Sequence, residues 1–323
     1  MIVLNGVEAI LAEHAQGVAA LGNFDGMHIG HQKILRVCTD VARQESLCSI
    51  VITFVPHPVQ VLRPQALHRN IMSLDDKLSA FAKMGVDIAI LIDFTEEFSE
   101  LTYLNFIQKV LVEKLQVAHV ITGRDFFFGR DREGNADILY KSASSHGFTY
   151  QTIEQVIWDY HDVSSSNIKR LMKLGAFGII RHILGREYAI AGEVMLGRGM
   201  AKSLGVPTAN IALAPDLYHP LYGVYLVQAE VDGINHYGVA NIGKRPTFLK
   251  ENDPALLEVH FFHFEQSLYG RRLEIKILHF IRPERSFDTV ETLKLQIQLD
   301  IKAAQQIMQY VLNQKSGSNL LLR

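Results

Sequence analysis

The chain has 323 residues, and at roughly 100–200 residues per domain this length predicts two domains. Hydrophobic residues make up 48% of it and charged residues 20%, the balance of an ordinary globular protein. Lys and Arg number 32 against 34 Asp and Glu, a formal charge of -2. This charge argues against a dedicated nucleic-acid-binding protein, although a local basic site is compatible with it.

The two cysteines, Cys38 and Cys48, favour a reducing compartment over a secreted, disulfide-linked protein. Near the N-terminus, Glu8 and Glu13 stand where a signal peptide would carry lysine or arginine. The apolar runs are far shorter than a bilayer span. We therefore expect a cytoplasmic protein without membrane or nucleic-acid partners, and its oligomeric state stays open between a monomer and weak self-association.

Apolar runs and helical stretches alternate along the first half of the chain. Asp76 stands at the capping-box position after Ser73, which marks a helix start. Near-continuous apolar strands joined by helices predict a parallel sheet covered on both faces, a doubly wound α/β domain. Strands are predicted at 17–24, 47–55, 86–92 and 117–121, and helices at 30–44, from Ser73 to Gly85 and at 99–115.

The second half has shorter strands and more turns. Asp232-Gly233 between two β-rich runs is a strong hairpin signal. Several short antiparallel strands predict a small barrel or sandwich. Strands are predicted at 223–231, 235–242, 256–264 and 272–280.

Asp288 and Glu291 form a capping-box-like pair, which predicts that a closing helix starts at Asp288. Its apolar stripe consists of Val290, Leu293, Ile297, Ile301, Ala304, Met308 and Val311. The boundary between the halves is predicted near Gly185, after a helical segment, so that the domains are 1–185 and 186–323.

The sharpest motif is Gly-Asn-Phe-Asp-Gly-Met-His-Ile-Gly-His at 22–31, between a buried strand and a helix. Open sheets bind ligands at such strand ends, and a helix N-terminus offers N–H groups and a positive dipole end to phosphate. His28 and His31 are three residues apart, so both imidazoles can reach one phosphoryl group, and Gly30 leaves room for a nucleotide. Such a site works by positioning and charge stabilisation without a protein nucleophile. The alternative is a capping histidine in a tight turn, and zinc is disfavoured because a third ligand is missing nearby.

Together with three later stretches, this motif resembles the HIGH-type nucleotidyltransferases. More closely, it resembles the first half of the bifunctional bacterial riboflavin kinase/FMN adenylyltransferases. The later stretches are Thr-Phe-Val-Pro-His-Pro at 53–58, Gly-Arg-Asp-Phe-Phe-Phe-Gly at 123–129 followed by 130–134, and Val-Ser-Ser-Ser-Asn-Ile-Lys at 163–169.

The resemblance implies a role for each motif. His28 and His31 would stabilise the transition state of adenylyl transfer, and Asn23 and Asp25 would orient phosphates or a metal ion. The implied ATP-binding residues are Gly22, Asn23, Asp25, Gly30, Ser164, Ser165, Ser166 and Lys169. The implied flavin-binding residues of this half are Phe54, Pro56, His57, Pro58, Asp125, Phe126, Phe128 and Arg130.

The residues themselves leave alternatives for some of these roles. The serine run suits a phosphate-binding helix start and equally a plain helix N-cap. Phe54 and the aromatic run at 126–128 have rings that can stack on a flavin, but aromatic residues lie more often in cores. Lys169 stands where the family usually has arginine, and lysine keeps the charge without the bidentate fork.

The second site motif is Leu-Gly-Val-Pro-Thr-Ala-Asn at 204–210. In an extended segment, Thr208 and Asn210 point to the same side, and their oxygens suit Mg²⁺ bound to nucleotide phosphates. Glu258 is an acid on an otherwise apolar strand, which fits either a general base or the exposed face of an alternating strand. The glycines that would let the backbone approach phosphates are Gly192, Gly197, Gly199 and Gly205.

This half resembles the riboflavin kinase domain of the same family, whose signature is Pro-Thr-Ala-Asn. The resemblance implies a small barrel with Glu258 as catalytic base, Thr208 and Asn210 as Mg²⁺ ligands, and Arg282 at the flavin. Ala201, Lys202 and Val206 depart from the family's Gly-Arg-x-x-Gly-Phe pattern, which puts the kinase's ATP loop in doubt. Supporting matches are Tyr-Gly-Val-Tyr at 222–225, Ala-Asn-Ile-Gly-Lys-Arg-Pro-Thr-Phe at 240–248, Glu-Val-His at 258–260, Leu-Tyr-Gly at 268–270 and Ile-Arg-Pro-Glu at 281–284.

The implied function is a sequence of two transfers. ATP phosphorylates riboflavin to FMN in the second half, and a second ATP adenylylates FMN to FAD with release of pyrophosphate in the first half. One alternative is a nucleotidyltransferase with another phosphorylated acceptor and a degenerate kinase domain. The other is a non-catalytic flavin sensor or RNA-binding regulator, of which the near-neutral charge disfavours the RNA-binding form.

Overall fold

The computed structural model describes residues 1–196, 207–244 and 255–318. The contacts within it divide the chain into two compact units, Met1–Asn167 and Ile168–Arg323. The division precedes the boundary predicted near Gly185, which stays a prediction.

The first unit is an α/β domain. Its helices are α1 (Ile29–Glu45), α2 (Pro58–Leu62), α3 (Leu74–Lys83), α4 (Glu96–Ser99), α5 (Tyr103–Asn105), which continues as a π-helix at Phe106–Lys114, α6 (Ala136–His146) and the start of α7 (Ser165–Lys173). Its strands are β1 (Ile2–Asn5), β2 (Val18–Leu21), β3 (Ser49–Val55), β4 (Ile88–Asp93), β5 (His119–Gly123), β6 (Thr149–Ile153), and the hairpin β7 (Ile157–Trp158) with β8 (His161–Asp162).

The sheet of this unit is parallel, with strand order β1-β4-β3-β2-β5-β6. On one face, α1 and α3 pack their apolar sides, such as Leu35 and Phe81, against the sheet. On the other face, Ile107 of the π-helix and Leu139 of α6 belong to a core cluster of buried apolar residues that includes Ile52 and Ile90 of the sheet. The predicted doubly wound fold is confirmed.

The strand order determines where the unit can bind a ligand. After β2 the chain moves to one side through β3 and β4, and then crosses to β5 on the other side of β2. Open α/β sheets bind their ligands beyond the carboxyl ends of the strands at such a reversal. The motif at 22–31 follows β2 and the motif at 123–129 follows β5, so both lie at this edge.

Some elements of the first unit differ from the prediction. β1 and β6 were not predicted, because β1 is short and β6, Thr-Tyr-Gln-Thr-Ile, is mostly polar. The helical stretch predicted at 99–115 is confirmed over Tyr103–Lys114, where α5 continues as the π-helix, but it begins later than expected. Thr102 caps this stretch, and Thr95 caps the separate short helix α4, each by accepting a backbone hydrogen bond.

The second unit contains a closed antiparallel barrel with strand order β10-β13-β12-β11-β14-β9. This settles the choice between a barrel and a sandwich in favour of the barrel. Its strands are β9 (Tyr188–Met195), β10 (Ala209–Ala212), β11 (Gly223–Val231), β12 (Ile234–Gly243), β13 (Leu256–Phe261) and β14 (Arg272–Pro283), with helices α8 (Phe177–Leu184) and α9 (Val290–Ser318).

The closing helix α9 packs on the barrel through its middle. Ala304, fully buried, and Ile301 contact a cluster that includes Val224 and Leu226 of β11. The predicted start at Asp288 is wrong: Thr289 caps the helix, since its Oγ1 accepts from the N–H of Thr292 at 3.2 Å. Val290, predicted to face the core, is 59% exposed.

Candidate functional sites

The loop after β2 has an unusual backbone conformation. Phe24 and Met27 have φ values of 51° and 46°, a region that costs side-chain-bearing residues free energy. Both side chains are buried, which compensates for the strain by anchoring the loop in the core. Strain of this kind is often found at binding sites.

Two histidines stack at the start of α1. His28 is its N-cap, and its Nδ1 accepts the backbone N–H of His31 at 3.2 Å. A neutral His28 ring therefore carries its proton on Nε2, where it can be donated. The two ring centroids are 3.6 Å apart. The capping role and the proposed phosphate contact are thus compatible, because they use different nitrogens of the same ring.

The second imidazole is neutral at neutral pH. Burial lowers the pKa of His31 well below its usual range, and neighbouring His28 and Lys77 lower it further. Its Nδ1 is buried and lacks a hydrogen-bond partner within the described ranges. Gly30 lies against the pair: a Cβ there would be 3.1 Å from His28 Nδ1. Gly30 is therefore needed for the histidine geometry itself.

Contacts from distant segments hold the loop that carries Asn23 and Asp25. Asp25 Oδ1 accepts the N–H of Ile71 at 2.7 Å, and the backbone oxygen of Asp25 accepts from Ser165 Oγ at 2.8 Å. The first and last motifs, which are far apart in sequence, are therefore in contact. Gly22 lies at the start of this loop, where a Cβ would be 3.1 Å from the Phe24 ring.

The serine run has structural roles as well as the proposed one. Ser164 Oγ accepts the N–H of Asn167 at 3.2 Å and so caps α7, while Ser166 is exposed. Lys169 belongs to the second unit, where its Nζ is 5.9 Å from the centre of the Tyr218 ring.

One charged residue of this site was missed. Lys77 on α3 is 6% exposed, and its Nζ donates to the backbone oxygen of Asn23 at 2.8 Å. Burial lowers the pKa of Lys77, while Asp25 raises it. The signal was its helical spacing from Leu74, Leu78 and Phe81, which places the lysine on the inward face.

The predicted flavin-binding residues divide into buried and accessible ones. Phe54 and Phe128 are each 7% exposed and belong to the core cluster, so their rings have little surface left for stacking. Phe126 stacks on Phe128 with centroids 5.7 Å apart. Phe127, the middle residue of the aromatic run, is 44% exposed and lies under the Arg132 guanidinium at 4.3 Å.

The other predicted flavin residues lie in loops at the carboxyl edge of the sheet. His57 caps α2, accepting the N–H of Val59 at 3.2 Å, and its ring stacks on His68 at 4.0 Å. Its neighbours in sequence flank it: Pro56 is exposed and Pro58 is the first residue of α2. Asp125 and Arg130 follow β5 and are both exposed.

In the barrel, register brings the predicted kinase residues together. Glu258 on β13 is opposite Asn210 on β10 and opposite Asn241 on β12. Directly paired residues have Cβ atoms about 4.5–5.5 Å apart on one face of a sheet. Asn210 Nδ2 is 3.4 Å from Thr208 Oγ1, so the predicted pair converges beside Glu258. Asn241 was quoted in a motif, but its position beside Glu258 was not predicted.

The remaining predicted kinase residues are not part of this cluster in the described residues. Arg282 donates from Nε and Nη2 to the two carboxylate oxygens of Asp300 at 2.8 and 2.6 Å, and Asp300 is 5% exposed. This bidentate pair ties β14 to α9, a structural role that the sequence did not reveal. Gly192 lies in β9 against Ile211. Gly197, Gly199 and Gly205, and the departures Ala201, Lys202 and Val206, lie outside the described residues.

A solved structure shares this architecture. A crystal structure described as a macrolide-efflux protein from Streptococcus pneumoniae is 27% identical, with a TM-score of 0.83 over 94% of this chain and 99% of that one. In the part of the present chain that the structure describes, no helix is both long enough and apolar enough to span a membrane.

Sequence comparisons give the same division as the fold. A model of FAD synthetase matches residues 10–167 and a model of riboflavin kinase matches residues 184–308. The bifunctional riboflavin kinase/FMN adenylyltransferase of Pseudomonas fluorescens is 36% identical over 94% of this chain and 97% of its own length. Those of Listeria monocytogenes and Escherichia coli K12 are 37% and 32% identical, over 88% and 93% of this chain and 90% and 96% of theirs. The chain therefore belongs to the family of bifunctional riboflavin kinase/FMN adenylyltransferases.

Proposed function

We propose that this protein makes FAD from riboflavin in two ATP-dependent transfers, one in each unit. One observation carries the proposal. The two family models match in chain order, each within one structural unit, and each unit holds a cluster of polar side chains suited to its reaction.

In the kinase step, Glu258 is the general base. It takes the proton of the terminal ribityl hydroxyl of riboflavin, whose oxygen attacks the γ-phosphorus of ATP, and ADP leaves. Asn210 and Asn241 lie opposite Glu258 on the two neighbouring strands. Strand pairing on both sides holds the backbone of Glu258 in place, which favours the reactive geometry.

The donor set beside Glu258 suits Mg²⁺. The Thr208 hydroxyl and the Asn210 amide are hard donors, and the opposite orientation of that amide would place Oδ1 beside the hydroxyl. Thr208 and Asn210 would hold the ion on the ATP phosphates. A magnesium ion supplies charge neutralisation to the transferring phosphoryl group.

In the adenylyl-transfer step, a phosphate oxygen of FMN attacks the α-phosphorus of a second ATP. The bond to the β-phosphate breaks and pyrophosphate leaves. His28 donates from Nε2 to the charge that develops on the phosphoryl oxygens, beside the N–H groups that begin α1. Asn23 and Asp25 orient the phosphates, and the serine run adds N–H donors at the start of α7.

Product analysis tests the proposal. Purified protein is given ATP and Mg²⁺ with riboflavin in one reaction and with FMN in another, and the flavins are separated by chromatography. We expect FMN and then FAD from riboflavin, and FAD alone from FMN. A protein that binds flavin without making either product would be a sensor. A protein that consumes ATP only with a different phosphorylated compound would be another nucleotidyltransferase.

The proposal extends to the location of the enzyme, its partners and its oligomeric state. A cytoplasmic location follows from the small number of cysteines. The partners are the small-molecule substrates, without nucleic acid or membrane, and the oligomeric state stays open between a monomer and weak self-association.

A further inference from the structure

Lys77 is an unusual residue for the interior of a domain. It lies on α3 among residues that face the sheet, and only 6% of it is exposed. Lysine is almost never buried unless it is paired, because removing an ammonium group from water is costly. A methionine of similar length would fill the same space at lower cost, so the charge calls for an explanation.

The contacts of Lys77 lead to the adenylyl-transfer loop. Its Nζ donates to the Asn23 backbone oxygen at 2.8 Å, and the same oxygen accepts from Thr53 Oγ1 at 3.2 Å. Two donors from α3 and β3 therefore hold one carbonyl of the loop. The Asn23 side chain lies at the same point, and its Oδ1 is buried without a partner in the described ranges.

We propose that Lys77 is a positioning residue for adenylyl transfer, which fixes the loop carrying Asn23 and Asp25 beside the histidine pair and gives it a buried positive charge. The inference rests on the proposed adenylyl transfer at this site. The two hydrogen bonds to the carbonyl fix the backbone from which the Asn23 amide would reach the substrate phosphates. The charge compensates part of the negative charge that ATP and FMN bring into a poorly solvated site.

The electrostatic surroundings agree with this role. Within the described ranges, the charged groups that lower the pKa of His31 are His28 at the start of α1 and Lys77 from α3. Burial lowers the pKa of Lys77, and the carboxylate of Asp25 in the loop raises it. Burial is the main cause of the lowered pKa of His31, and the positive charge of Lys77 adds to it, so that His31 takes part as a hydrogen-bonding imidazole rather than as a second cation.

The test compares Lys77→Met, which removes the charge, with Lys77→Arg, which keeps it. Lys83→Met on the same helix is the matched control, since Lys83 is exposed. We expect kcat for FAD formation from FMN to fall about tenfold or more in Lys77→Met, because a misplaced loop loses the reactive geometry. In Lys77→Arg, kcat should fall less than in Lys77→Met, and in Lys83→Met it should equal that of the wild-type protein. FMN formation should stay within about twofold in all three variants, because that site lies in the barrel.

A second readout separates positioning from simple packing. The titration of the His31 ring is followed by NMR in the full chain and assigned with His31→Gln. The His31 pKa should rise in Lys77→Met, because a neighbouring positive charge is gone, and stay unchanged in Lys77→Arg.

Each other result has a defined meaning. Unchanged kcat and unchanged His31 titration in Lys77→Met overturn the inference, and so does an equal loss of kcat in both variants with unchanged titration. If Lys77→Met does not fold, Lys77→Arg decides: partial FAD formation with unchanged titration supports the inference, and a shifted titration contradicts it. If the wild-type protein makes no FAD, the proposed function fails, while the titration still tests the electrostatic effect of Lys77 on His31.

Discussion

The two units hold their reactive side chains by different means. In the barrel, Asn210, Glu258 and Asn241 are neighbours because three strands pair in register. In the α/β unit, the loop after β2 is held by contacts from α3, from the segment before α3 and from the start of α7. A ladder of backbone hydrogen bonds tolerates change in its surroundings. A loop assembled from several segments depends on residues outside its own motif.

The strongest test of this difference is Glu258→Gln. The amide keeps the shape of the side chain and the pairing of the strands but cannot accept the proton. We expect FMN formation to fall by roughly 10²–10⁴-fold, the usual contribution of a general base, with FAD formation from FMN unchanged. The matched control is Glu265→Gln, an exposed acid after β13, which should leave both rates unchanged. A fall in both products would mean that the sites are not separate.

Asp300→Ala tests whether Arg282 is structural or binds flavin. The substitution leaves a partly buried guanidinium without its bidentate partner, and we expect the free energy of unfolding of the barrel to fall by roughly 3 kcal/mol. Region-resolved hydrogen exchange in the full chain measures this. The exposed Gln298→Ala on α9 is the control. A large change in KM for riboflavin without a loss of stability would instead support the predicted flavin contact of Arg282.

Gly30→Ala separates the histidine geometry from the stability of α1. The new Cβ would lie 3.1 Å from His28 Nδ1, so the ring must move by a few tenths of an ångström. We expect FAD formation to fall about tenfold, while α1 becomes no less stable, since alanine favours helix. Gly178→Ala in α8 is the control, because a Cβ there meets no atom within 4 Å. Unchanged FAD formation in Gly30→Ala would show that the ring position is not critical.

The smallest expected effect concerns pH. Folding lowers the pKa of His31 below its ordinary 6.5. At a pH between the folded and the unfolded pKa, His31 is protonated in the unfolded chain but not in the folded one. The free energy of unfolding of the first unit should therefore fall as the pH drops below about 6.5. His31→Gln should reduce this dependence, and the two curves should run parallel above neutral pH. Hydrogen exchange of the strands at several pH values measures it, and identical slopes would contradict the assignment.

The barrel was easier to predict than the loop site, for a physical reason. β11 was predicted to its observed bounds because a local signal ends it: Asp232 and Gly233 adopt φ values of 52° and 77° in the turn. β13 was predicted to end at residue 264 but ends at Phe261, because His263 has a positive φ that breaks the strand. That conformation has no sequence signal, since histidine does not require it.

In the loop site, the sequence identified the histidines and the serine run, because their motifs are continuous. It did not reveal that Lys77 and Ile71 support the loop. The spacing of Lys77 indicates an inward position but not its partner, and Ile71 looks like an ordinary apolar residue. Contacts between segments far apart in the chain have no local pattern, and only the folded structure brings them together.

The central claim is that one chain carries two separable sites, and a complementation experiment tests it most directly. Glu258→Gln and His28→Ala are assayed alone and mixed, with riboflavin, ATP and Mg²⁺. The account predicts that His28→Ala accumulates FMN, that Glu258→Gln makes FAD only when given FMN, and that the mixture converts riboflavin to FAD. FAD from riboflavin in either variant alone at the unchanged rate, or a mixture of folded variants that makes no FAD, would contradict it.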